Sequence, residues 1–173
     1  MSVERSETAI AWAKRNLALN GVLTDANTLV HAHVFDSKLR CWMPQNGSSP
    51  ACLFCRWIRN GQAVETFGGM AAFEDGHPVT EGHLLLVPLR HTPDWFTMTD
   101  RELRDADALI RIVAGRIRRA DPSVTGFNIG TNAGSSAGQT VFHAHIHVIP
   151  RRDGDARDPR GGIRGVIDGR RCY

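Results

Sequence analysis

His143, His145 and His147 occupy alternate positions, with Ala144, Ile146 and Val148 filling the gaps. Imidazole titrates close to neutral pH, so it can serve as nucleophile, proton carrier or metal ligand. On a β-strand, side chains alternate between faces. The spacing therefore predicts one strand with three imidazoles on one face and apolar side chains on the other. A rise of ~3.3 Å per residue puts neighbouring histidines about 6.6 Å apart along that strand. Just upstream, Gly134-Ser-Ser-Ala-Gly138 is a loop of small residues able to bring backbone N–H groups close to an anion. A phosphate-sized loop followed by aligned imidazoles points to chemistry at phosphorus. A ligand set for one metal, or a row of solvated histidines, are the alternatives to that reading.

A second constellation is Cys52-x-x-Cys55. Two thiols at this spacing are half of a four-coordinate metal site, a redox pair, or small apolar side chains in a core. Cys41 and Cys172 have no such partner and carry no assignment. No apolar run approaches the ~20 residues that cross a bilayer. The N-terminus also lacks the basic-then-apolar plan of a secretory signal, so a cytoplasmic protein is expected. In that compartment the cysteines suit metal or redox chemistry better than disulfides.

The 173 residues suffice for one domain with a real core, and 42% hydrophobic with 23% charged residues is ordinary for a globular chain. The net charge is only +3, but residues 151–173 hold seven arginines against four aspartates. This basic tail lacks the interleaved aromatics of a single-strand nucleic-acid groove. It suits a small anionic substrate, with neither nucleic acid nor membrane as partner.

These groups need a scaffold. Residues 1–50 read as an extension: a helix over 6–20, a short strand over 28–35 with an incidental His31-x-His33, and a Pro/Gly/Ser-rich loop over 36–50. The domain proper spans 51–173. It opens at Cys52-Leu-Phe-Cys55, and two strands around Ala63–Phe67 and Met70–Phe73 form a hairpin across Gly68-Gly69. His83-Leu-Leu-Leu-Val-Pro88 reads as a buried strand. Thr99 and Glu102 have capping-box spacing and open a long helix to about Ala120, with Leu103, Ala106, Ile110, Val113 and Ile117 on its apolar stripe. Its six arginines fall mostly on a solvated face. A strand over Gly126–Gly130, the glycine loop and the histidine strand complete the domain. This order predicts an α+β fold, an antiparallel sheet of about five strands with one long helix packed on it.

With these residues in view, His143-Ala-His-Ile-His-Val-Ile149 with its leading Gly138-Gln-Thr-Val141 resembles the histidine triad (HIT) family of nucleotide hydrolases and transferases. The likeness runs back through Ala72–Pro78, Glu81–Pro88 and His91, covering residues 52–152. Within the family it is most similar to bacterial diadenosine polyphosphate hydrolases. The resemblance implies that His145 is the nucleophile, attacking the α-phosphorus of a purine nucleotide or dinucleoside polyphosphate. It implies that His147 contacts phosphate and assists proton transfer, and that Gln139 and Thr140 stabilise the phosphoryl oxygens. Asn132 matches a phosphate or leaving-group contact, Asp75 the acid that takes the ribose hydroxyls, and Phe73 a wall against the base. It further implies structural zinc on Cys52, Cys55, His91 and His143, and a homodimer. Transfer to phosphate or a sugar phosphate, and nucleotide binding without turnover, are the competing readings.

Overall fold

The computed structural model describes residues 51–169. The expected helix over 6–20, the His31/His33 strand, the loop over 36–50, Cys41 and Cys172 lie outside the described residues. The expected α+β architecture is present. Strands β1 Glu65–Phe67, β2 Met70–Glu74, β3 Leu84–Pro88, β4 Val124–Gly130 and β5 Ile146–Arg152 make one antiparallel sheet in the order β1-β2-β3-β5-β4. Two helices join it, a short α1 over Leu53–Arg59 and the long α2 over Asp100–Ala120.

The hairpin between β1 and β2 turns where expected. Gly68 has φ +55°, and a β-carbon there would collide with the Asp105 side chain, which accepts a 2.8 Å hydrogen bond from the Gly69 N–H. Beyond it, the two faces of the sheet are buried differently. Met70, Ala72, Leu84, Leu86, Ile146 and Val148 pack with Ala106, Leu109, Val113 and Ile117 of α2. On the other face Ala71, Phe73, Leu85 and Val87 pack with Phe54, Trp57 and Ile58 of α1. The run Leu84–Pro88 is buried throughout, which explains its unbroken apolar character. In β5, Ile146, Val148 and Pro150 are buried, whereas His147, Ile149 and Arg151 are half-buried on the opposite face. That is the face on which His147 lies.

Two expectations are corrected. Leu109 lies at the centre of the buried stripe of α2, with Leu103 and Ile110 on its flanks. The three histidines do not share one strand, because β5 begins at Ile146 and only His147 belongs to it. His143 and His145 precede it in irregular backbone, and the His143 side chain turns toward the cysteines. That turn takes residue 143 out of the sheet's alternation.

The start of α2 also braces the site. Thr99 Oγ1 accepts from the Glu102 N–H (3.2 Å) while Glu102 Oε2 accepts from the Thr99 N–H (2.8 Å), the reciprocal capping box. The same carboxylate, nearly buried, takes a bidentate bond from Arg90 at 3.0 and 2.8 Å, fixing the residue next to His91. Burial pushes the Glu102 carboxyl up, but the bonds from Arg90 and Thr99 outweigh it and hold the group below its ordinary range. A depressed folded pKa contributes stability above the unfolded value, and that contribution disappears as pH falls through the folded one. Glu102→Ala is therefore expected to cost about 2–4 kcal/mol at neutral pH. Urea midpoints measured from neutral to acidic pH should converge on wild type at the acid end. A constant gap across that range would contradict this account.

Candidate active site and metal centre

Helix α1 explains the cysteine pair. Cys52 is its N-cap and Cys55 lies in its first turn, so both thiols project from one helix end. Cys52 Sγ lies 3.4 Å from His143 Nδ1, and Cys55 Sγ lies 3.3 Å from His91 Nδ1 and 3.6 Å from His143 Nδ1. Metal–ligand bonds of about 2.3 Å to sulfur and 2.0–2.1 Å to nitrogen in a tetrahedron put sulfur and nitrogen about 3.5 Å apart. The four donor atoms, all within 4.8 Å of one another, fit a closed tetrahedral ion. The outer bonds agree: His143 Nε2 donates to the Pro88 carbonyl at 2.9 Å, which leaves Nδ1 as a lone pair facing the thiols. Burial pulls the His143 imidazole down to about 4, keeping it neutral as a ligand must be. The structure thus brings all four expected ligands together, and Cys52, Cys55, His91 and His143 could hold a metal.

His145 is held from both sides. Its Nδ1 lies 2.9 Å from the carbonyl of His143, an acceptor only, so Nδ1 carries the proton and Nε2 keeps its lone pair. The Thr131 hydroxyl donates to the His145 carbonyl at 2.7 Å, and the Ala144 N–H donates to Thr92 O at 2.7 Å. The Phe54 ring of α1 contacts both imidazoles, 5.8 Å from that of His143 and 5.2 Å from that of His145. The His147 ring is 5.3 Å from that of His145, so the two imidazoles flank one position.

The glycine loop contains a single 3-10 turn over Ser135–Ala137, bounded by Gly134 (φ +88°) and Gly138 (φ +85°). Gln139, just after this loop, is buried. Its Oε1 accepts from the Gly134 N–H at 2.8 Å, and its Nε2 donates to Pro93 O (2.6 Å) and Val141 O (3.0 Å). Both amide hydrogens thereby have protein partners, and the side chain ties Gly134 to the segments at Pro93 and Val141. Thr140 is exposed beside it, and Asn132 is half-buried with its Nδ2 3.5 Å from Gly138 O.

Strand register lines up the rest. Phe73, Leu85, His147 and Gly130 stand opposite one another across β2, β3, β5 and β4. At ~4.8 Å per strand, Phe73 lies about 10 Å from His147. Asp75 follows two residues on, its Oδ1 accepting from the His77 N–H at 2.8 Å and its Oδ2 lying 3.2 Å from His83 Nδ1. Phe73 is buried under Trp57, their rings 5.6 Å apart, so Trp57 shares the apolar wall. Three residues escaped the sequence reading: Phe54, Trp57 and His83. The first two belong to a helix too short for periodicity to reveal. An open cavity of about 600 Å³, lined by Val79, Thr80, Asn128, Ile149 and Arg151 among others, lies elsewhere on the domain. Part of the tail's charge is paired: Arg151 with Asp155, Arg160 with Asp158, and Arg152 with Asp121 outside the tail.

Comparison with known proteins agrees with this geometry. The HIT domain family matches residues 59–154. An uncharacterized HIT-like protein of Mycobacterium tuberculosis is 39% identical over 107 residues, 60% of this chain and 74% of that protein. The asymmetrical bis(5'-nucleosyl)-tetraphosphatase of Schizosaccharomyces pombe is 40% identical over 85 residues, 49% of this chain and 46% of that protein. Among solved structures, a zinc-bound histidine triad family protein from Mycobacterium smegmatis is similar with a TM-score of 0.57. It is 33% identical, covering 63% of this chain and 84% of that one.

Proposed function

The chain belongs to the HIT domain family, and from that premise we propose that it is a nucleotidyl hydrolase working through a nucleotidyl-histidine. The observation that carries the reading is the His145 Nδ1–H bond to the His143 carbonyl, which points a nucleophilic lone pair at the position flanked by His147. In the first step, His145 Nε2 forms a bond to the α-phosphorus, and the bond from phosphorus to the leaving atom breaks. Its electron pair goes to that atom, together with a proton from His147 Nε2. In the second step, water attacks the same phosphorus, gives a proton back to His147 Nε2, and the phosphorus–nitrogen pair returns to His145. Exposed Thr140 and the backbone N–H groups of Ser135 and Ser136 meet the equatorial oxygens. Gln139 holds that loop in shape, and Asn132 is placed for the leaving group. Phe73 and Trp57 wall the base, and Asp75 takes the ribose hydroxyls with the acceptor capacity its two existing contacts leave free.

Zinc on Cys52, Cys55, His91 and His143 fits the closed donor set and supplies a cross-link with no position open to water. Thiolate ligands suit a reducing, cytoplasmic setting. A homodimer is expected as well.

The substrate is a purine nucleotide with a phosphoramidate or polyphosphate leaving group, such as a dinucleoside polyphosphate. Purified protein incubated with each, with and without inorganic phosphate, should release nucleoside monophosphate at the same rate in both cases. Release of nucleoside diphosphate only when phosphate is present would make it a phosphorylase. Tight nucleotide binding with no turnover of any of these would replace the enzyme with a binding module.

A further inference from the structure

The loop from Asp75 to His83, which joins β2 to β3, has little apolar anchorage, since Gly76, His77, Pro78 and Val79 are all exposed. Its position therefore depends on polar ties. Internal bonds give it shape: the Asp75 N–H donates to His83 O (3.1 Å), the His83 N–H to Thr80 O (3.2 Å) and the His77 N–H to Asp75 Oδ1 (2.8 Å). Its far side, at Thr80 and Glu81, is fastened from outside by Arg152. We propose that Arg152 is a positioning residue for nucleotide binding, which ties the β2–β3 loop to the end of α2 and so holds Asp75 where the ribose hydroxyls are met. The inference rests on the reading of Asp75 as the ribose acid.

Arg152 ends β5 on the face that also carries Ile146, Val148 and Pro150. That is the face opposite His147, so Arg152 does not meet the phosphates itself. Its Nε and Nη2 donate to Asp121 Oδ2 at 3.1 and 2.6 Å, Nη1 donates to the Thr80 hydroxyl at 2.8 Å, and Nη2 also donates to Glu81 O at 3.3 Å. Asp121 is itself fixed, as the C-cap of α2 and as the acceptor of the Ser123 N–H at 2.9 Å. A β-carbon on Gly82 would come within 3.3 Å of Pro150, so this part of the loop lies against β5. The planar guanidinium fork can address a carboxylate and two further acceptors at once, which an ammonium on a flexible stem does not. The Arg152–Asp121 pair is partly exposed and adds little stability by itself, which leaves placement as its work. The path to Asp75 is short. Arg152 holds Thr80, the Thr80 carbonyl holds the His83 N–H, and the His83 carbonyl receives the Asp75 N–H. Hydrogen bonds weaken steeply with misalignment, so a loop freed at Thr80 recognises the ribose less well.

The test compares binding of adenosine 5'-monophosphate and its 2'-deoxy analogue by calorimetry, which needs no turnover. Wild type is expected to favour the ribonucleotide by about tenfold or more, the worth of a hydrogen bond to a charged group. Arg152→Met keeps the aliphatic stem and removes the fork. It should narrow the preference to about threefold or less, by weakening the ribonucleotide and leaving the deoxy analogue within about twofold of wild type. Thr80→Val removes one hydroxyl, leaves the pair with Asp121, and should narrow the preference in part. It decides the question alone if Arg152→Met does not fold. Arg152→Lys should restore the melting temperature but not the full preference. With a nucleoside phosphoramidate as substrate, the Arg152→Met loss should fall on KM, with kcat within about twofold of wild type. An unchanged preference in the variants, or an equal loss on both nucleotides, would overturn the proposal and leave the ribose reading of Asp75 intact. Wild-type protein that binds both nucleotides equally would overturn that reading, and this inference with it.

Discussion

Replacing His145 with asparagine is expected to lower turnover by about 10⁴-fold or more while nucleoside monophosphate still binds. The substitution suits the site. The asparagine amide can donate to the His143 carbonyl as Nδ1 does and fills much of the same nearly buried volume, but nothing replaces Nε2. The loss should appear equally with good and poor leaving groups, because the phosphorus–nitrogen bond never forms. Rapid quenching with labelled nucleotide should trap a protein-bound phosphoramidate in wild type and none in the variant. His147→Asn should behave differently, since it removes proton transfer and keeps the nucleophile. Its loss should grow with the basicity of the leaving group, by about 10²–10⁴-fold for the poorest. If His145→Asn kept wild-type rates, direct attack by water activated at His147 would replace the covalent route.

Much of this site was legible in the chain because local patterns and tertiary placement agree there. Glycines 68 and 69 sit between two apolar runs and make the hairpin. Thr99 and Glu102 make the capping box, and the apolar run after His83 is buried on both faces. The four metal-centre residues came through a resemblance, and their donor atoms meet at distances that a tetrahedral ion requires. What escaped the pattern depends on where side chains point. The alternation of His143, His145 and His147 suggested one strand, but His143 leaves it to reach the thiols. Gln139 precedes the triad, but its contacts to Gly134, Pro93 and Val141 join separate pieces of chain that no local spacing relates. His83 looked like the first residue of a buried strand and nothing more. Its partners lie 8 residues before it and 64 residues after it, and no local spacing encodes that meeting.

The metal centre carries the other large expected effect. Protein purified without chelator should contain about one zinc per chain, and Cys55→Ser should lose it. The ligands come from three separate pieces of chain: the start of α1, the segment after β3, and the segment leading into His145. They share no common element, so the ion would add a cross-link to the His143–Pro88 and Ala144–Thr92 hydrogen bonds. The domain also has two apolar clusters that do not depend on the metal, so the loss should weaken it without unfolding it outright. A cost of about 3–5 kcal/mol is expected, below the ~10–16 kcal/mol with which zinc-finger peptides bind the ion. For a domain of this size that corresponds to a fall in Tm of roughly 10–15 °C. Activity should fall as well, because the carbonyl that sets the His145 tautomer belongs to the ligand His143. The same chain of contacts predicts that Phe54→Ala, which removes the ring that contacts both His143 and His145, lowers activity while zinc stays bound. Wild-type protein that is metal-free yet as stable and active as the zinc-loaded form would show the four residues to be a packed, reduced cluster. In that case the placement of His145 would rest on Thr131, Thr92 and Phe54 alone.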